Sequence, residues 1–181
     1  IKIKSLILIT VIIGAIGFWH LGSAAWIYGK AYAAQFLIND AWLMTLASNT
    51  INKPWSWADT WPVGEISIPA IGMNEIILSG DSGSSLAFAP GLSHAGASLD
   101  EQGVKLISAH RDTHFESLQN IAIDDEIFIK TATSSKYYKI NDISVVDSDN
   151  YKFNPDTTDY DLILATCSPF IDLQLGGSQR L

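Results

Sequence analysis

A single cysteine, Cys167, serves the whole 181-residue chain. An internal disulfide is therefore excluded, and the thiol is a packing residue, a surface thiol or a nucleophile. Basic residues are also scarce, 11 against 19 acidic ones, for a net charge of −8. Setting aside Lys2 and Lys4 leaves 9 bases against the same 19 acids. That balance argues against nucleic acid or anionic lipid as a partner of the folded part. Metal-ligand spacing is missing too. His110 and His114 stand four apart, as in metal-binding H-E-x-x-H helices, but Arg111 occupies the place of the glutamate base and no third ligand is evident, so no metal site is expected. There is no internal repeat, which removes solenoids and propellers. Charge vanishes altogether from Ser5 to Gly29, where His20 is the only titratable side chain.

That uncharged run of 25 residues exceeds the roughly 20 needed to cross a bilayer. Lys2 and Lys4 precede it, so the positive-inside rule keeps the N-terminus in the cytoplasm and exports the rest. Trp19, Trp26, Tyr28 and Tyr32 crowd its outer half, as interfacial anchors do. The competing reading is a signal peptide cut after Ala33, since Ala31-Tyr32-Ala33 has the small-x-small form. The run is longer than the roughly 7–15 residues of a signal core, which favours a retained anchor. The expected location is the cytoplasmic (inner) membrane, single-pass, with the folded domain on the periplasmic or extracytoplasmic side.

Three segments follow: 1–29 as cytoplasmic N-terminus and transmembrane anchor, 30–61 as juxtamembrane helix and Trp-rich linker, and 62–181 as the exported β-rich domain. Phe36, Leu37, Leu43, Met44 and Leu46 recur at helical spacing. Trp55, Trp57 and Trp61 between Pro54 and Pro62 imply packing against the domain surface. From Val63 the pattern turns to strands: 64–69, 74–78, 104–109, 126–131, 136–147 and 159–166, separated by loops of Gly, Ser, Asn and Asp. Single helical turns are expected at 82–90 and 113–118. Many short strands with few helices indicate an all-β barrel or sandwich.

Cys167 ends one apolar strand, and Pro169 breaks that strand two residues on. His110 ends another, and Arg180 follows a Gly-Gly turn. A Cys, a His and an Arg at strand ends form a set suited to acyl transfer through a thioester. The nucleophile would be the thiolate. The acid clusters 124–126 and Asp147/Asp149 match no calcium-loop spacing and read as solvated surface.

Four blocks in order give the chain its resemblance to sortases, the membrane-anchored cysteine transpeptidases. They are Trp-Pro-Val-Gly-Glu-Ile-Ser-Ile-Pro at 61–69, Leu-Ala-Phe-Ala-Pro-Gly at 86–91, Ala-His-Arg-Asp-Thr-His-Phe at 109–115, and Leu-Ala-Thr-Cys at 164–167 with Arg180 after it. The histidine block, Thr-Cys-Ser-Pro-Phe and the Trp-rich segment look most like the Gram-negative, proteobacterial branch. The resemblance implies a sortase-like eight-stranded β-barrel with short helical turns, preceded by an N-terminal transmembrane helix. It implies a partner too, an exported protein carrying a C-terminal sorting signal of the Leu-Pro-x-Thr-Gly type or a relative, and an amine acceptor. The roles it implies are Cys167 as nucleophile, His110 as acid/base, Arg180 as oxyanion or substrate-backbone donor, and Thr166, Asp112 and His114 as substrate-positioning residues. No cofactor is implied, apart from the calcium that some sortases bind. Two positions depart from the pattern: Ala109 stands where glycine usually precedes the histidine, and Ala89 where glycine is common. The alternatives are a hydrolytic cysteine protease of the same fold and a catalytically silent peptide-binding barrel.

Overall fold

The computed structural model describes residues 2–150, 161–170 and 179–181. Its chain divides into two units, 1–36 and 37–181. One continuous helix, α1, runs from Lys2 to Ser48. In the first unit its described large apolar side chains stand exposed: Phe18 is 80% exposed and Trp19 74%. It is the one described helix long and apolar enough to cross a membrane.

The last turns of α1 belong to the second unit. Ile38 is fully buried against Leu78 and Ala89. One helical turn on, Trp42 is buried as well, and its indole donates to Glu65 Oε2 at 3.4 Å. Asn49, with φ 53°, ends the helix in the left-handed conformation that asparagine tolerates, and its amide donates to the Thr45 carbonyl. In the tryptophan-rich segment, Trp55 packs edge-on against Phe88 with centroids 5.4 Å apart, whereas Trp57 is 82% exposed.

Strand β1 (Pro62–Ile68) alternates buried and half-buried residues, so Ile66 and Ile68 enter the core. Pro69 cannot donate to a ladder, and the chain turns there through a 3₁₀ turn into β2 (Met73–Ser79). The short helix α2 (Gly83–Leu86) follows, its start capped by Ser82. Then come β3 (Gly91–Leu92), β4 (Lys105–Ser108), β5 (Glu126–Lys130), β6 (Ser135–Lys139), β7 (Val146–Asp147), β8 (Leu162–Ala165) and β9 (Gln179–Arg180). Seven strands form one sheet, ordered β6-β5-β1-β2-β3-β4-β8, that curls into a nearly closed barrel. Its core joins Ile66, Ile77, Ile107, Phe115, Leu118 and Ile129.

Among the described residues the sheet has seven strands, not the expected eight. Within them, β9 pairs with β7 in a separate two-stranded sheet and reaches the barrel at a single bridge, Cys167 to Arg180. The expected strand 136–147 is interrupted. After β6, Ile140 exchanges backbone hydrogen bonds with Asp124 and Asp125, and the chain leaves the sheet before β7. Of the last expected strand, residues 159 and 160 lie outside the described residues, as do the two glycines before Arg180.

Candidate active site

The site grows out of two adjacent strand ends. Strands β4 and β8 run parallel, with Ser108 opposite Ala165. The ladder extends by one bond, from the Ala109 amide to the Ala165 carbonyl at 3.2 Å. The Thr166 hydroxyl then donates to the Ala109 carbonyl at 2.9 Å. Thr166 is 2% exposed, so its hydroxyl ties the strand ends together within the scaffold. The next residue on each chain is His110 and Cys167. They therefore leave the sheet from adjacent strand ends.

Arg180 is placed by backbone bonding. Thr166 and Leu181 exchange both of their N–H···O bonds, at 3.0 and 2.9 Å, and the Ser168 amide donates to the Gln179 carbonyl at 3.1 Å. Cys167 and Arg180 between them are a non-hydrogen-bonded antiparallel pair. Such pairs hold their Cβ atoms on one face, about 4.5–5.5 Å apart. The Arg180 Nη1 also donates to the Gln179 carbonyl at 2.8 Å.

Cys167, His110 and Arg180 all line one groove of about 1000 Å³. Cys167 is half-buried, and His110 is exposed at the rim. No hydrogen bond joins the thiol to the imidazole among the described residues. An apolar floor that includes Leu106 and Ile127 and a polar rim that includes Asp81 and Asp142 complete the groove.

The other expected residues lie differently. The His114 ring turns away from the groove and meets Glu75 Oε2 at 3.2 Å, in a separate depression of about 390 Å³. Asp112 stands beside His110 but faces Arg111. Its carboxylate accepts from Arg111 Nε at 2.7 Å and from Nη2 at 3.2 Å. Those hydrogen bonds hold the Asp112 carboxyl below its ordinary range, against a small opposing effect of burial and with help from the Arg111 and His110 charges. Arg111 itself is buried, and its Nη1 donates to the Pro169 carbonyl. Sequence reasoning passed over this arginine. The available signal was a cation between the candidate acid/base and an acid, at the start of a loop.

Among the described residues no group of three or more His, Cys, Asp or Glu side chains is arranged to hold a metal ion. In the acid cluster 124–126, Asp124 pairs with Lys139 at 3.0 Å and Asp125 accepts the Ala122 amide at 2.8 Å. Asp147 accepts from the Asp149 amide and the Asn150 side chain.

No curated protein sequence matches the chain significantly. Solved structures do. Sortase A from Corynebacterium diphtheriae superposes with a TM-score of 0.59 at 24% identity, covering 68% of this chain and 59% of that one. The Clostridium perfringens sortase D5 transpeptidase gives 0.62 at 21% identity, over 82% of this chain and 94% of its own. A pilus-related sortase C of group B Streptococcus gives 0.52 at 25% identity, over 66% of this chain and 63% of its own. The alignment thus spans less than two thirds of the Corynebacterium and Streptococcus enzymes. Residues 66–181, the whole barrel from the middle of β1 onward, match the sortase domain family, and the chain belongs to the sortase family of cysteine transpeptidases.

Proposed function

We propose that this chain is a membrane-anchored transpeptidase that cleaves a C-terminal sorting signal and passes the acyl group to an amine. The observation that carries the reading is the convergence of Cys167, His110 and Arg180 on one groove. In the proposed reaction the Cys167 thiolate adds to the scissile carbonyl carbon. Arg180 donates to the oxygen as charge develops there. His110 protonates the departing amine as the C–N bond breaks, leaving a thioester on Sγ. An incoming amine attacks that thioester, His110 takes its proton, and the thiolate is released. The chemistry uses no cofactor. Residues 1–29 serve as the anchor, with the barrel outside the cytoplasmic membrane. The branch is the proteobacterial one, on the residues of the histidine block.

The test uses the full chain in detergent, a Leu-Pro-x-Thr-Gly peptide with its relatives, and hydroxylamine as acceptor. A thioacyl mass on Cys167 and a hydroxamate product are expected, and neither with Cys167→Ala. Turnover by the alanine variant near the wild-type level would sink the reading. Free acid as the sole product, even at high amine concentration, would make the enzyme a hydrolase.

A further inference from the structure

We propose that Arg111 is the positioning residue that holds His110 against Cys167. This rests on the reading of His110 and Cys167 as a catalytic pair. Past Ala109 and Thr166 the two segments no longer share a ladder. There the Arg111 guanidinium joins them, because it follows His110 in the chain and donates to the carbonyl two residues after Cys167.

The arrangement fits arginine and little else. The side chain is 9% exposed, so its charge needs partners on every side. Nε and Nη2 take the two Asp112 oxygens, and Nη1 takes the Pro169 carbonyl. These bonds use the planar fork that lysine lacks. The rest of the turn is fastened elsewhere. The His110 carbonyl accepts the Phe115 amide at 3.1 Å, Phe115 is fully buried in the core, and His114 meets Glu75 on β2. Those contacts set the turn on the barrel, and Arg111 sets it toward the thiol. A group displaced by about 1 Å can lose on the order of 10²-fold in rate, so one such tie is enough to matter.

Because Cys167 is the sole thiol, its alkylation by iodoacetamide reads the pair directly and needs no peptide substrate. The rate is measured across pH for the full chain in detergent. The wild type is compared with His110→Ala, Arg111→Gln, Arg111→Lys and the double variant His110→Ala/Arg111→Gln. The expected result is that Arg111→Gln takes the profile of His110→Ala, with a change of roughly tenfold or more near neutral pH. The double variant should go no further, and Arg111→Lys should fall between. Near-UV circular dichroism and the melting point report the fold separately. A folded Arg111→Gln protein with the wild-type profile would overturn the proposal. If the glutamine variant does not fold, the lysine variant decides: a shifted profile supports positioning and a wild-type profile overturns it. If His110→Ala itself leaves the profile unchanged, the pairing fails, and the Arg111 role falls with it.

Discussion

Two glycines beside the groove should respond oppositely to the same substitution. A Cβ built on Gly91 would lie 2.2 Å from the Gly80 carbonyl oxygen and 3.0 Å from the Asp81 Cα. Both obstacles are backbone and cannot swing aside. They are also locked in place, since the Leu78 amide donates to the Pro90 carbonyl at 2.8 Å and the Gly80 amide to the Leu92 carbonyl at 2.9 Å. Forcing atoms into a packed site costs about 1–3 kcal/mol, and an immovable neighbour puts Gly91→Ala near the upper end. At about 2–4 °C per kcal/mol for a protein of this size, the melting point should fall by about 6–12 °C. Gly83 opens α2, and nothing lies within 4 Å of its added Cβ. Gly83→Ala restricts the unfolded chain and should stabilise by about 0.4–1 kcal/mol. Thermal unfolding followed by near-UV circular dichroism would read the barrel while the apolar helix stays in its micelle. Gly91→Ala should also impair turnover, because Asp81 lines the groove. A Gly91→Ala protein melting within about 1 °C of wild type would refute the close approach of β3 to the end of β2.

Turnover of a Leu-Pro-x-Thr-Gly peptide should separate the two histidines. His110→Ala should lose on the order of 10²–10⁴-fold, the usual contribution of a positioned acid/base. His114→Ala should lose under about tenfold, since its ring faces away from the groove and its contact with Glu75 is worth about 1 kcal/mol. A larger loss at His114 would reverse the assignment. Asp100 should show itself in acid. Burial works to raise its pKa, but hydroxyls of Ser134, Thr133 and Thr131 and the charge of Lys136 prevail and lower it. A lowered carboxylate pKa stabilises the fold above the unfolded value of about 3.9 and loses that contribution as pH falls through the folded one. Asp100→Asn should cost about 1 kcal/mol near neutrality, allowing for solvent exposure. In urea titrations that difference from wild type should shrink below about pH 4, and a constant difference would count against the mechanism.

The strands that carry His110 and Cys167 were legible because apolar runs stop there, at residues whose neighbours cannot continue a ladder. Tertiary pairing was less accessible. Residues 136–147 read as one strand, but bonds from Ile140 to Asp124 and Asp125 divert the chain. Arg180 was placed with Cys167 by the order of the blocks, whereas its antiparallel pairing with Cys167 is not encoded in local periodicity. Two buried cations were invisible for a related reason. Lys105 sits in β4 fully buried, donating to the Gly103 carbonyl at 2.6 Å. Burial pushes its amine pKa down, and nearby Lys136 adds to that, while Asp161 and Glu101 pull it up. A lysine or an arginine reads as surface until the fold reveals the carbonyls that receive it. The end of α1 was legible, but its docking face was not: Phe36, Leu43 and Met44 stay exposed, whereas Ile38 and Trp42 are buried. Periodicity marked residues 31–47 as amphipathic, but it could not say that Ile38 would find Leu78 and Ala89.

That last contact bears on where the barrel can be cut from the apolar helix. A soluble fragment begun at Val63, where the strands start, would strip Ile38 and Trp42 from their places and leave Leu78, Ala89 and Glu65 facing water. Losing the burial of Ile38 alone forfeits about 1.5–3 kcal/mol, a large share of the 5–15 kcal/mol that holds a typical domain together. It would also uncover an apolar patch at which released molecules could adhere to one another. A cleavage point ahead of Leu37 keeps the last three turns of α1 with the barrel, so the shortest well-behaved fragment carries the end of its own apolar helix.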